Sequence, residues 1–304
     1  MVFSMMNLLQ QSGLINMDKK ICFISTPTSL GGNVAGSDLG PFEILDLNLF
    51  AGLKKDHKFI EIDSRNDLKK DRNNSLKDIC LRLKSETFKN ILAGYFPFVL
   101  GGDHSISSGS LSAISSAYSL ENNESPGLIW FDAHADLNTH LTSPSGNLHG
   151  MPLAALIGEK VKHLSDVVDS ALFDPKKVVI LGLRDIDPGE TALLDKENIT
   201  YFSAEEIKKQ GFAEIAKKVN LITGNDYCLS FDVDSIDPLF APGVGTPVNC
   251  GFDPKEAIAL LDKILTKGNL LSLDFVEYNP LHDKGNKTKD CVEKLLDFLI
   301  SKIG

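Results

Sequence analysis

The sequence predicts an open, doubly wound α/β sheet with helices on both faces, and three observations carry that reading. Short apolar, β-rich runs recur along the 304 residues, helical patterns fill the intervals, and polar clusters fall directly after the apolar runs. Runs such as Phe98-Val-Leu100, Leu128-Ile-Trp-Phe131 and Val178-Val-Ile-Leu181 are nearly continuous in apolar character. That is expected of parallel strands buried on both faces, and their alternation with helices makes a layered α/β architecture.

Taken in order, strands are expected at Lys20–Ser25, Lys58–Asp63, Pro97–Leu100, Gly127–Phe131, Lys177–Leu183, Thr200–Phe202, Asp226–Phe231 and Leu270–Phe275. Amphipathic helical patterns lie between them at Ser75–Gly94, Ala204–Val219, Pro254–Lys267 and Asp290–Lys302. The most polar segment, Lys69–Asn74, reads as a surface loop. No linker-like stretch divides the chain and no internal repeat is visible, so residues 1–304 are expected to form one domain. Residues 1–17 are expected as a disordered N-terminal segment; either Met1 or Met17 serves as a start, since Lys19-Lys20 and the first strand follow the latter.

A hydrophobic content of 42% is enough for a sizeable core, and 24% charged residues is ordinary for a soluble protein. The formal net charge of -10 argues against a nucleic-acid partner, which calls for a basic face. Cys22, Cys80, Cys228, Cys250 and Cys291 are scattered, odd in number and form no CxxC pair. They read as reduced, mostly buried thiols of a cytoplasmic protein. No basic segment precedes an apolar one at the N-terminus, and no run reaches the ~18 apolar residues of a spanning helix. Neither a signal peptide nor a membrane partner is expected.

The polar clusters are Gly101-Gly-Asp-His104, Asp132-Ala-His-Ala-Asp136, Arg184-Asp-Ile-Asp187, Asp232-Val-Asp234 and Glu277. Each follows an apolar strand, and the carboxyl ends of the strands in an open α/β sheet line one ligand-binding crevice. If Asp132-x-His134-x-Asp136 stays extended, alternate side chains face one side and could meet one ion. Asp232-x-Asp234 repeats that geometry, and His104 adds a second imidazole. Four carboxylates, two imidazoles and no thiol suit two divalent cations, Mn²⁺ foremost, with zinc, iron, cobalt or nickel as substitutes. Two such ions roughly 3.5–4 Å apart lower the pKa of a bridging water and hold hydroxide ready for attack. Each motif alone has a plainer reading: Asp234 or Asp237 capping a turn, His104 as a core histidine. Together they would cluster unpaired carboxylates, which is costly without cations.

These residues resemble the ureohydrolase family, which includes arginase, agmatinase, guanidinobutyrase and formimidoylglutamase. The matching stretches are Gly101-Gly-Asp-His-Ser105, Phe131-Asp-Ala-His-Ala-Asp136, Ser230-Phe-Asp-Val-Asp-Ser-Ile-Asp-Pro238, Gly243-Val-Gly-Thr-Pro247 and Asp274-Phe-Val-Glu-Tyr-Asn-Pro280. The resemblance runs from about Ser25 to Pro280 and implies a three-layer αβα fold around an eight-stranded, mostly parallel sheet. It implies one Mn²⁺ on His104, Asp132, Asp136 and Asp232, and a second on Asp132, His134, Asp232 and Asp234, with Asp132 and Asp232 bridging.

Within the family, the stretch from Asn138 through Ser145 and Asn147 to His149 is similar to the arginase substrate loop. The resemblance implies that Asn138 and Ser145 hold the α-carboxylate of L-arginine, with Asn147 in the same substrate-binding loop. Gly182-Leu-Arg-Asp-Ile-Asp187-Pro-Gly-Glu190 is arginase-like too, with Asp187 receiving the α-amino group and Asp185 and Glu190 supporting it from behind. Glu190 equally suits a helix start. His149 would relay a proton to the ornithine leaving group, a task that suits an imidazole, or else merely stack in the loop. Glu277 would pair with the guanidinium, Thr246 would line the same pocket, and Asp136 would orient the nucleophile or take its proton.

The implied activity is hydrolysis of L-arginine to L-ornithine and urea by metal-bridging hydroxide. Agmatinase or guanidinobutyrase activity is one alternative, and a metal-free regulatory or binding protein on the same fold is another. The resemblance implies a homo-oligomer, trimer or hexamer. Ala135 and Leu137 depart from the common pattern at positions that are not ligands, and the unfamiliar segment 281–288 falls at the pocket rim.

Overall fold

The computed structural model describes residues 19–47, 49–50, 53, 57–64, 71–168, 170 and 172–303, so the expectations for residues 1–17 lie outside the described residues. Its eight strands are β1 (Ile21–Thr26), β2 (Lys58–Glu61), β3 (Phe96–Gly101), β4 (Gly127–Phe131), β5 (Val178–Leu181), β6 (Thr200–Phe202), β7 (Asp226–Asp232) and β8 (Asn269–Val276). They form one sheet in the order β2-β1-β3-β8-β7-β4-β5-β6. Every pairing is parallel. All eight expected strands are present. The largest difference is at β5, where Gly182 at φ 101° turns the chain out of the sheet before Leu183.

The helices are α1 (Gly40–Leu45), α2 (Arg72–Leu92), α3 (Ser107–Asn122), α4 (Pro152–Leu156), α5 (Pro188–Glu197), α6 (Ala204–Gln210), α7 (Phe212–Thr223), α8 (Pro254–Leu265) and α9 (Lys287–Ile303). Strand alternation sorts them into two layers. Phe23, Phe98, Ile129, Phe131, Leu229, Phe231 and Phe275 pack with Ile44 of α1, Ile207 of α6, Ile215 of α7, Leu260 of α8 and Leu295 of α9. On the opposite face Leu128, Trp130, Ile180 and Cys228 meet Leu76 of α2, Leu111 of α3, Leu153 of α4 and Leu194 of α5. The result is the three-layer αβα arrangement that the sequence leads one to expect.

Helix α8 shows how the local sequence produces this packing. Its cap residue Asp253 accepts the Lys255 N–H at 2.7 Å, and Glu256 reaches back to the Asp253 N–H at 2.9 Å, a reciprocal box that satisfies otherwise unpaired helix-end donors. Ala257, Leu260, Leu261 and Ile264 then fall on one buried stripe. Cutting Leu261 to Ala would cost about 2–5 kcal/mol through lost burial and the residual cavity.

Two expectations need correction. The single helix at Ala204–Val219 is two helices, because Gly211 at φ 90° breaks the turn between α6 and α7. Segment Lys69–Asn74 is not all loop: Asp71 accepts the Asn74 N–H at 3.1 Å and caps α2, so 72–74 are its first turn. Residues 69–70 lie outside the described residues. All five cysteines are free, and only Cys250 is exposed. No helix among the described residues is long and apolar enough to cross a membrane.

Candidate metal centre and substrate pocket

Because every strand is parallel, all carboxyl ends fall on one edge of the sheet. The four central neighbours, β3, β8, β7 and β4, deliver His104, Glu277, Asp232 with Asp234, and Asp132 with His134 and Asp136 to that edge. Nδ1 of His104 lies 3.0 Å from Asp132 Oδ2, 3.0 Å from Asp232 Oδ2 and 3.1 Å from Asp136 Oδ2. Nδ1 of His134 lies 3.0 Å from Asp234 Oδ2 and 3.5 Å from Asp132 Oδ1. Two groups of donor atoms could thus each hold an ion: His104, Asp132 and Asp232, and Asp132, His134 and Asp234. Asp132 is common to both; Asp136 flanks the first.

The motifs do not reach this arrangement as extended chain. Oδ1 of Asp132 accepts the His134 N–H and Oδ1 of Asp232 accepts the Asp234 N–H, each at 2.7 Å. This is the local turn a short carboxylate makes with the backbone two residues on. Asp136 then enters the left-handed region at φ 51°. The two strand ends share one turn, so the expected repetition holds while the expected alternation does not.

The charges favour a cation. Burial alone would lower the His104 pKa, but the carboxylates of Asp132, Asp136 and Asp232 crowded around Nδ1 outweigh it and hold the value well above normal. Burial, with Asp132 beside it, pushes Asp136 up to about 6. Burial, aided by Asp234 and Asp132, raises Asp232 well above the usual range. Nε2 of His104 is taken by Ser230 Oγ at 2.8 Å. If that nitrogen carries the proton, Nδ1 presents a lone pair to three carboxylates. His104 Nδ1 and Asp136 Oδ2 are buried without a hydrogen-bond partner, an arrangement that is costly unless a positive charge stands between them. The donor set therefore fits divalent cations on the structure's own terms.

Beside this cluster, at the end of β8, is Glu277, buried and at φ 67°. Its Oε1 accepts the His104 N–H at 3.0 Å and lies 3.0 Å from His149 Nδ1. Left-handed non-glycine residues concentrate at functional sites, and Asp136 and Glu277 are both of this kind. Burial would raise the Glu277 pKa, but the bonded and charged His149 outweighs it and holds the carboxyl below its normal range. Thr246 donates to Asp234 Oδ2 at 3.0 Å, while the neighbouring Gly245 is the residue that borders Glu277 Oε2.

The substrate-side residues are only partly brought together. Asn138 is buried, donates to Asp187 Oδ2 at 2.8 Å and accepts from Thr142 at 3.0 Å. Glu190 accepts the Asp187 N–H at 2.9 Å and the Leu137 N–H at 3.1 Å, so it both starts α5 and ties the two segments together. Burial raises its pKa to about 7. Asp185 does not support Asp187: its side chain is 66% exposed and its nearest ionic neighbour is His134 Nε2 at 3.7 Å. Ser145 is exposed and accepts the Asn147 N–H at 3.2 Å, within its own loop rather than toward Asn138. Segment 281–288 braces the loop behind Thr246: Thr288 Oγ1 accepts the Gly243 N–H at 2.7 Å and Asp283 accepts the Thr288 N–H at 3.0 Å. Asp237 has the plain turn-forming role, accepting from Leu239 and Gly251.

A model of the arginase family matches residues 19–300. The chain belongs to the arginase family. It is 38% identical over 293 residues to the arginase of Staphylococcus aureus (strain COL), covering 90% of this chain and 94% of that protein. It is 36% identical over 299 residues to the arginase of Bacillus subtilis (strain 168), covering 94% and 99%. The crystal structure of the Bacillus cereus arginase matches with a TM-score of 0.84 at 34% identity, over 93% of this chain and 98% of that one.

Several residues of this arginase-family site escaped the sequence reading. Trp130 stacks on His104 with ring centroids 4.1 Å apart and donates to Asp132 Oδ2 at 3.0 Å. Ser230 holds His104 Nε2, and behind it Ser107 and Ser110 donate to the buried Asp274 at 2.8 and 2.6 Å. A signal was present: Trp130 and Ser230 each stand two residues before a clustered aspartate, hence on the same side of the strand. Asp103 stands inside the Gly101–Ser105 motif but the pattern gave it no role, and the loop after β1 reaches the site only through the fold.

Proposed function

We propose that this chain hydrolyses L-arginine to L-ornithine and urea, with two Mn²⁺ ions at the Asp/His cluster. The observation that carries the reading is the buried Glu277 carboxylate, which pairs with His149 and accepts the backbone N–H of the cluster residue His104. One ion would be held by His104, Asp132, Asp136 and Asp232 and the other by Asp132, His134, Asp232 and Asp234; the thiol-free donor set favours manganese. When bound, such a pair of cations supplies Lewis-acid activation of water at neutral pH.

The chain's own groups do the rest. The Glu277 carboxylate attracts the guanidinium and sets its carbon over the cluster, a positioning gain of the kind that removes entropy from the barrier. As water adds to that carbon, the Asp136 carboxylate orients it or takes its proton. The bond from carbon to the chain nitrogen then breaks, and His149 delivers a proton to the departing amine of ornithine. Asn138, Ser145 and Asn147 face the α-carboxylate and Asp187 the α-amino group. Asp185, at the outer edge of His134, would line the entrance rather than support Asp187. Thr246 fixes Asp234, and Glu190 fixes Asp187. The free, buried cysteines fit a reducing compartment, and we place the enzyme in the cytoplasm as a homo-oligomer, trimer or hexamer.

The test is urea release from L-arginine by protein loaded with Mn²⁺ and by the same protein after chelation. Turnover that requires the metal supports the reading; turnover indifferent to chelation would overturn its mechanism.

A further inference from the structure

We propose that Asp103 is a positioning residue for His149, acting through Gly31 and Gly32 of the loop that follows β1. The proposal deepens, and rests on, the reading of His149 as the proton donor in arginine hydrolysis.

Five links make a closed ring. Asp103 Oδ2 accepts the Gly31 N–H at 2.8 Å. The Gly31 carbonyl accepts the His149 N–H at 3.1 Å. His149 Nδ1 meets Glu277 Oε1 at 3.0 Å, and that same oxygen accepts the His104 N–H at 3.0 Å. His104 follows Asp103 in the chain, which closes the circuit. A carboxylate needed only to cap the turn at His104 would spend one oxygen, as Oδ1 does on the Ser105 N–H at 3.1 Å. The other oxygen is committed to the loop.

The loop is shaped for this contact. A Cβ on Gly31 would fall 2.3 Å from Asp103 Oδ1, so only glycine permits the approach. A Cβ on Gly32 would fall 3.3 Å from Cε1 and Nε2 of His149, so the bare backbone lies against the edge of the ring. On its outer side the loop is gripped by Arg72, whose guanidinium donates to the carbonyls of Leu30 at 2.7 Å and Ser29 at 3.1 Å. The strip is thus held from both sides, and the imidazole is set by backbone rather than by a mobile side chain. Proton transfer works only within about 2.6–3.2 Å, so a ring displaced by a few tenths of an ångström delivers its proton poorly.

Gly32→Ala and Asp103→Asn are made in the full-length, Mn²⁺-loaded protein, each in the native and in the His149→Ala background. Either change should lower kcat on the order of 10–100-fold, the scale of a misplaced catalytic group, with KM within about twofold and manganese content unchanged. In the His149→Ala background neither should lower kcat further, because residues acting through one another are not additive. Equal losses in both backgrounds would overturn the proposal. Nitrogen-15 spectra of the His149 ring, taken with diamagnetic Zn²⁺ in place of Mn²⁺, give a readout independent of turnover. A shifted ring signal in both variants at unchanged metal content is expected, and an unmoved one would overturn the proposal. Native protein inert toward arginine would sink the arginine reading, while the ring spectra would still decide the clamp. Should Asp103→Asn fail to fold, Gly32→Ala, which adds one methyl group, carries the test.

Discussion

Nδ1 of His149 lies 3.0 Å from Oε1 of Glu277, joining the substrate loop to the end of β8 across 128 residues. Burial alone would lower the imidazole pKa, but the hydrogen bond and charge of Glu277 outweigh it and raise the value to about 9. The folded value exceeds the ordinary 6.5. The stabilisation is therefore complete below about pH 6.5 and is lost as pH rises through about 9. Titrating the ring by NMR should give a midpoint near 9 in the native protein and a clearly lower one in Glu277→Gln. Equal midpoints would remove Glu277 as the cause.

His149→Ala should lower kcat by roughly 10²–10⁴-fold, the usual worth of a general acid or base. Manganese content should stay unchanged, since His149 is in neither group of candidate metal-holding atoms. Loss of metal together with activity would show the residue to be structural.

Asp132→Ala and Asp232→Ala should both abolish turnover and bind far less manganese than the native chain. Each aspartate meets His104 Nδ1 at 3.0 Å, and Asp132 belongs to both groups. Metal analysis of the purified variants checks this. Substantial urea release from either would contradict the assignment of the cluster.

Ser230→Ala should weaken manganese binding about 10–100-fold while leaving the fold intact, as is usual for groups that orient a metal-binding histidine. The hydroxyl is the partner of His104 Nε2 at 2.8 Å, and its loss frees the ring to turn. Competition with a chelator measures the change. An unaltered affinity would mean that stacking on Trp130 suffices.

Asp187→Ala should raise KM for arginine by about 10–100-fold, the scale of one lost charge-assisted hydrogen bond at ~1.5–3 kcal/mol, with a smaller effect on kcat. A kcat-only effect would place Asp187 outside the binding of the α-amino group.

The strands were legible because burial on both faces leaves long apolar runs, as at Val178-Val-Ile-Leu181. The helix α3 was not, because its buried residues intersperse Ser107, Ser108, Ser110, Ser112 and Ser115 with Leu111, Ala113, Ile114 and Ala117, which interrupts the apolar period. The cluster residues could be found because each follows a strand, yet their turned geometry could not, since it depends on Asp132 and Asp232 bonding to their own backbones. Ser145 and Asp185 show where resemblance runs ahead of geometry. Both stand in familiar motifs, yet Asp185 approaches His134 rather than Asp187, and Ser145 bonds within its own loop. Asp103 and Gly31 show the reverse case, 72 residues apart in sequence and brought into hydrogen-bond contact by the parallel pairing of β1 with β3.

The most direct test of the account is urea release by the Mn²⁺-loaded protein with L-arginine and agmatine measured side by side. Agmatine lacks the α-carboxylate, and a site built to hydrogen-bond a missing group rejects the analogue strongly. Arginine turnover with negligible agmatine turnover is the predicted result. A preference for agmatine would contradict the roles given to Asn138, Ser145 and Asp187, and silence on both would contradict the proposed activity itself.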